Sequence, residues 1–123
     1  MRSLSVQVQP SRSPEIDMER VCSIFESIAA MSELVEHHAF ENGSDGVPYF
    51  NFTFGTRYAK QLWQTIQEVV FDNPEFGAFV KKSSIVACSS ESGWETYFLL
   101  AHFDSKVRVV IPPFLATVRS REG

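Results

Sequence analysis

Two helical stripes of apolar residues, separated by a strand of alternating aromatics, limit what this chain can fold into. Val21, Ile24, Phe25, Ile28 and Met31 recur at three- and four-residue spacing, and so do Ala59, Leu62, Trp63, Ile66, Val69 and Val70. Each stripe makes one face of a helix apolar and obliges it to pack against another element. Between them, Tyr49-Phe50-Asn51-Phe52-Thr53-Phe54 has the two-residue period of a strand with one buried face. Two one-sided helices and a one-sided strand are satisfied together when both helices lie on the same face of a sheet.

The remaining elements follow from the same two periods. Leu4, Val6 and Val8 alternate with polar residues as a strand. Ser13, Pro14 and Glu15 read as the N-cap, first position and first-turn acid of the first helix, which should run to about Met31 or Val35. Leu34 to Phe40 is ambiguous. Read as a strand, it forms a hairpin with Tyr49 to Phe54 across the turn Asn42 to Gly46. Gly55-Thr56 should cap the second helix, Asp72-Asn73-Pro74 should stop it, and Asn73 can cap a short helical turn ending near Phe79 or Val80. Ile85 to Ser89, Trp94 to Phe103 and Val107 to Ile111 read as strands, and Pro112-Pro113 ends regular pairing because neither proline can donate. The order is then β-α-β-β-α-β-β-β. Its first six elements resemble the split βαββαβ pattern of the ferredoxin-like fold. The expected architecture is α+β: an antiparallel sheet with two helices packed on one face, plus an additional C-terminal strand or hairpin. If Leu34 to Phe40 is helical instead, only the α+β class survives. One domain is expected over residues 1–123, with residues 117–123 fraying as a flexible tail.

Eleven phenylalanines in 123 residues offer large buried areas to a small core, although some could anchor a partner at the surface. Cys22 and Cys88 each sit among apolar residues, so reduced thiols and a reducing compartment are expected. Met1-Arg2-Ser3-Leu4 has no apolar h-region, and no apolar run approaches the roughly 18 residues of a membrane helix. The expectation is a cytoplasmic protein with no membrane association.

Charge is segregated. From Pro14 to Asp45 there are eight acids against one base, Arg20, a net of −7; the other seven acids and ten bases give +3. Such a field governs association more than folding. Lys81-Lys82 and the Lys106, Arg108 pair are too short to neutralise a phosphate backbone, so direct nucleic-acid binding is not expected. Phe50, Phe52 and Phe54 invite comparison with an RNA-stacking sheet, but without flanking bases they read as core.

Residues for catalysis are sparse. His102 and Asp104 would share a strand face, which allows a general base or a metal ligand, but a strand-end histidine beside a turn aspartate accounts for them more simply. Adjacent His37 and His38 cannot both face one metal on a regular strand. No HxxxH or CxxC spacing, GxSxG elbow or phosphate-binding glycine loop occurs. No catalytic residue, metal site or cofactor is therefore assigned.

A protein-binding surface has more in its favour. Glu15 to Glu19 are explained by helix capping and the helix dipole. Glu33, Glu36, Glu41 and Asp45 fall where the helix should end, against the dipole, and are assigned to a partner-facing patch with Tyr49, Trp94 and Tyr97 as amphipathic ring contacts. Ser84-Ile85-Val86-Ala87-Cys88 followed by Gly93 to Asp104, about a fifth of the chain, resembles the immunity proteins of bacterial contact-dependent inhibition and related polymorphic toxin systems. That resemblance implies a protein that binds a cognate toxin domain, commonly a basic nuclease, and occludes its active site or substrate cleft. It carries over no individual functional residue. The competing expectations are a small ferredoxin-like enzyme using His102 and Asp104, and a phage-type inhibitor that mimics nucleic acid with surface carboxylates. The oligomeric state stays open.

Overall fold

The computed structural model describes residues 1–116. The expected fraying of 117–123 lies outside the described residues. Five strands form one antiparallel sheet: β1 (Arg2–Val8), β2 (His37–Ser44), β3 (Pro48–Thr56), β4 (Ser84–Ser90) and β5 (Gly93–His102), in the spatial order β2-β3-β1-β4-β5. The first four strands have the ferredoxin-like order, and β5 is the additional strand, joined to β4 as a hairpin. Helix α1 (Met18–Ala29) follows β1, and α2 (Ala59–Ile66) follows β3. A π-helical turn, Gln67–Phe71, extends α2, and a short helix α3 (Gly77–Lys81) leads into β4.

Register explains why the core closes. Leu4 pairs with Phe54 on one side and Cys88 on the other, and Val6 pairs with Phe52 and Val86, so these rows all point to the helical face. Phe52 and Phe54 are core, as their alternation predicts. Phe25 on α1 stacks on Phe52 with ring centroids 4.2 Å apart, and Phe40 on β2 meets the Phe52 edge at 5.1 Å. Burying each such ring is worth about 1.5–3 kcal/mol before entropy is subtracted. Helix α2 buries Leu62, Trp63 and Ile66. Among the described residues no helix covers the opposite face of the sheet, where polar residues such as Ser5, Gln7, Asn51 and Thr53 lie.

Gly55-Thr56 ends β3 and does not cap α2, which starts at Ala59 after Tyr58 with no side-chain cap, and three further local expectations need correction. The first helix begins at Met18 with Asp17 as its cap, whose carboxylate accepts from Arg20 N at 3.2 Å, and not at Ser13-Pro14. Ser13 is buried and donates its hydroxyl to the Phe79 carbonyl at 3.1 Å, so it ties the chain to α3 instead of capping a helix. The helix stops at Ala29, so Glu33 and Glu36 lie beyond it and do not oppose its dipole. Val107 to Ile111 is the third. It runs beside β5 with a single bond, Val110 N to Leu99 O at 3.0 Å, and forms no ladder. Irregularities in β4–β5 pairing at Val86/Ala87 and Ser89/Ser90 twist that edge, and Pro112 has no N–H to continue the pairing.

Leu34 to Phe40 resolves as a turn followed by strand. Thr56 donates its hydroxyl to Leu34 O at 2.6 Å, Glu36 N donates to Gly55 O at 2.8 Å, and β2 then pairs with β3 from His37 onward. Asn73 does cap the short helical turn, its side-chain oxygen accepting from Glu75 N at 2.8 Å and Phe76 N at 3.3 Å. No helix among the described residues is long and apolar enough to cross a membrane.

Candidate interaction surface

The seven residues assigned to a partner surface do not converge. Glu33 occupies the exposed turn after α1, and Glu36 lies just before β2, its carboxylate 3.7 Å from Arg57. Glu41 is in mid-strand and Asp45 is in the hairpin turn. A strand advances about 3.3 Å per residue, so Glu36 and Asp45 stand roughly 30 Å apart. Trp94 and Tyr97 are exposed, with centroids 6.4 Å apart, but they sit on β5 at the far edge of the sheet. Four strand spacings, about 19 Å, separate them from β2. Trp94 neighbours Tyr97, Asp45 and Tyr49 border a shallow pocket with Gln7 and Gln9, and Glu41 and Tyr49 border another.

Their meeting place is a groove of about 550 Å³ between α1 and the open edge strand β2. Its floor is Phe40, Phe50 and Phe52, Cys22 and Glu26 line it from the helix, and Glu41 and Tyr49 bound it at the hairpin, where strand alternation turns their side chains to the opposite sheet face with Asn51. Cys22 and Glu26 are one turn apart and therefore share a helix face. Tyr49 is set by its pairing opposite Gly43: a side chain at Gly43 would collide with the Tyr49 hydroxyl, so the glycine lets the ring lie across β2. Among the described residues neither Glu26 nor Glu41 forms an ion pair. By contrast, Arg20, the lone base of the acidic segment, is taken up by Glu75 and lies over Phe76.

Chemically, the groove offers the Glu26 carboxylate above an aromatic floor, with Glu41 on the other face of the same edge strand. A lysine or arginine can lay its aliphatic stem on Phe40 and Phe50 while its head meets Glu26, and a second basic side chain can meet Glu41 around the β2 edge. Burial pushes the Cys22 thiol above its ordinary range, and the neighbouring Glu26 charge adds to the effect, so Cys22 is a protonated thiol at neutral pH and a poor nucleophile. Sequence reasoning missed Glu26. No one-dimensional pattern sets it over Phe40 and Phe50; only the packing of α1 on Phe52 does.

His102 and Asp104 do not form an oriented dyad. The His102 Nδ1 accepts from Asp104 N at 3.0 Å, while the Asp104 carboxylate accepts from Lys106 N at 2.9 Å and closes the turn. The carboxylate therefore serves the bend rather than the imidazole. His37 and His38 point to opposite faces, His37 across Gly55 and His38 toward Phe40 with centroids 5.0 Å apart. Among the described residues no three His, Cys, Asp or Glu side chains are grouped to hold a metal. Comparison of the chain with protein-family models, with curated proteins and with solved structures finds no match.

Proposed function

We propose that this chain is a non-enzymatic binding protein that neutralises a cognate bacterial toxin domain, a basic nuclease, by seating its α1–β2 flank in the toxin's substrate cleft. The observation that carries this reading is the α1–β2 flank, where Glu26 stands over the Phe40 and Phe50 groove and Glu41 lies on the other face of the edge strand β2, neither of them ion-paired among the described residues. There the two carboxylates stand in for phosphates that the toxin's lysines and arginines would otherwise meet. The acidic segment from Pro14 to Asp45 supplies the long-range field that speeds encounter with a basic partner. The free edge of β2 supports strand addition as a second source of contact. A nucleic-acid mimic is less favoured, because Glu36 is occupied by Arg57 and Asp45 lies at the other end of β2.

The test uses a toxin domain encoded beside this chain. Co-expression should restore growth, and the purified pair should form a complex. Glu26→Lys with Glu41→Lys should weaken that complex about a hundredfold, taking each lost charge-assisted contact as a factor of ten. Glu33→Lys with Glu36→Lys should have a smaller effect, mainly on the association rate at low salt. Absence of a complex at micromolar concentration, or a Glu26/Glu41 double variant that binds like the parent, would sink the reading.

A further inference from the structure

On the opposite flank, a second cavity has different chemistry. It occupies about 410 Å³ between the α2 end of the helical layer and the β5 side of the sheet, within the roughly 300–1,000 Å³ of small-molecule sites. Trp63, Phe71, Leu100, Val109 and Ile111 make its walls apolar. Three observations set it apart from a packing gap. The first is Ser84, which lines the cavity, is only 2% exposed and has a hydroxyl with no hydrogen-bond partner. An orphaned buried hydroxyl is costly and calls for an explanation. The second is the π-helical turn Gln67–Phe71, which contributes Gln67 and Phe71 to the lining; such turns occur frequently at functional sites. The third is the apolar strap from Val107 to Ile111, where Val109 and Ile111 line the cavity yet remain 41% and 43% exposed.

We infer that this cavity is a binding site for a small uncharged molecule with an aromatic or branched aliphatic body and one hydroxyl or carbonyl oxygen, held by the Ser84 hydroxyl. The apolar walls select the body, and the orphaned hydroxyl selects one oxygen. An ionic head is disfavoured because the lining charges are already engaged. Asp72 and Lys81 face each other at 3.9 Å, and the Asp104 carboxylate accepts from Lys106 N. Seated ligand would also cover Val109 and Ile111. The site lies at the sheet edge opposite the acidic groove and does not depend on the function proposed for that groove.

The experiment compares 2-naphthol with 2-methylnaphthalene, which have nearly the same shape and differ in the hydroxyl. Each is titrated into the full chain and followed by amide chemical shifts. 2-Naphthol should perturb Ser84, Leu100 and Gln67 and bind about tenfold more tightly than the methyl analogue, the value of one well-made buried hydrogen bond. Ser84→Ala removes an unsatisfied hydroxyl, so it should fold with an unchanged or raised Tm while binding the two probes equally. Failure of both probes to bind at millimolar concentration, shifts confined to other residues, or a naphthol preference that survives in Ser84→Ala would each overturn the inference.

Discussion

The two edges of the sheet solve the same problem in different ways. Among the described residues strand β2 has no outer neighbour, and it carries Glu41 in mid-strand, a charge that discourages edge-to-edge association. Strand β5 is irregular in its pairing and has the apolar strap from Val107 to Ile111 alongside it, held by one backbone bond. One edge is guarded by charge and rests on a dense aromatic cluster; the other is guarded by a covering segment and rests on a partly empty cavity. An edge protected only by charge can still be approached by a partner of opposite charge. An edge protected by a strap is closed to strand addition but can hold something beneath the strap.

The contrast can be broken most severely at its aromatic side. Phe52→Ala removes the ring on which both Phe25 and Phe40 pack and should cost about 3–5 kcal/mol by urea denaturation, more than Leu100→Ala on β5, where the nearby cavity lets the site relax. Equal losses would mean that the two flanks are packed alike. Gly55→Ala should come next. A methyl there would run into the His37 ring, costing about 1–3 kcal/mol, and adding His37→Ala should restore most of that loss in a double-mutant cycle. A loss unaffected by His37→Ala would place the strain in the backbone.

Val110→Pro removes the bond to Leu99 O. It should cost about 1 kcal/mol and bare the β5 edge, giving concentration-dependent self-association in sedimentation velocity. A strictly unchanged sedimentation profile would show that the strap does not guard that edge. The smallest effect concerns the thiols. Burial raises both Cys22 and Cys88, with Glu26 reinforcing the shift at Cys22 and Arg2 partly offsetting it at Cys88. Because their folded-state values exceed the unfolded one, their contribution to stability is complete below about pH 8.5 and is lost as pH rises through the folded values. The urea midpoint should therefore fall slightly above that pH, and the fall should flatten in Cys22→Ala with Cys88→Ala.

Much of the fold was legible because its signals are local. The alternation of Leu4, Val6 and Val8, the Phe52 and Phe54 row and the Ala59 to Ile66 stripe each state a period that only one element type satisfies. The helix start was misread because Ser13-Pro14-Glu15 has the chemistry of a cap, yet a contact with Phe79, 66 residues away, claims the Ser13 hydroxyl first. Val107 to Ile111 has a strand's composition, but a strand also needs a straight neighbour, and the irregular β4–β5 pairing and Pro112 deny it one. The candidate surface was less legible. A run of acids in sequence looks like a patch, whereas an extended strand pulls Glu36 and Asp45 to opposite ends of the sheet.

By itself the sequence determined the α+β class, the helical layer on one sheet face, the burial of Phe52 and Phe54, and the segregation of acidic charge. Each of these depends on periodicity or composition. Tertiary structure alone decided which acids share a surface and which hydroxyl is left without a partner. Glu26 stands over Phe40 and Phe50 because α1 packs on Phe52, and Ser84 is orphaned because the layers above and beside it leave a cavity. Those outcomes depend on distances between elements far apart in the chain, which no local pattern encodes.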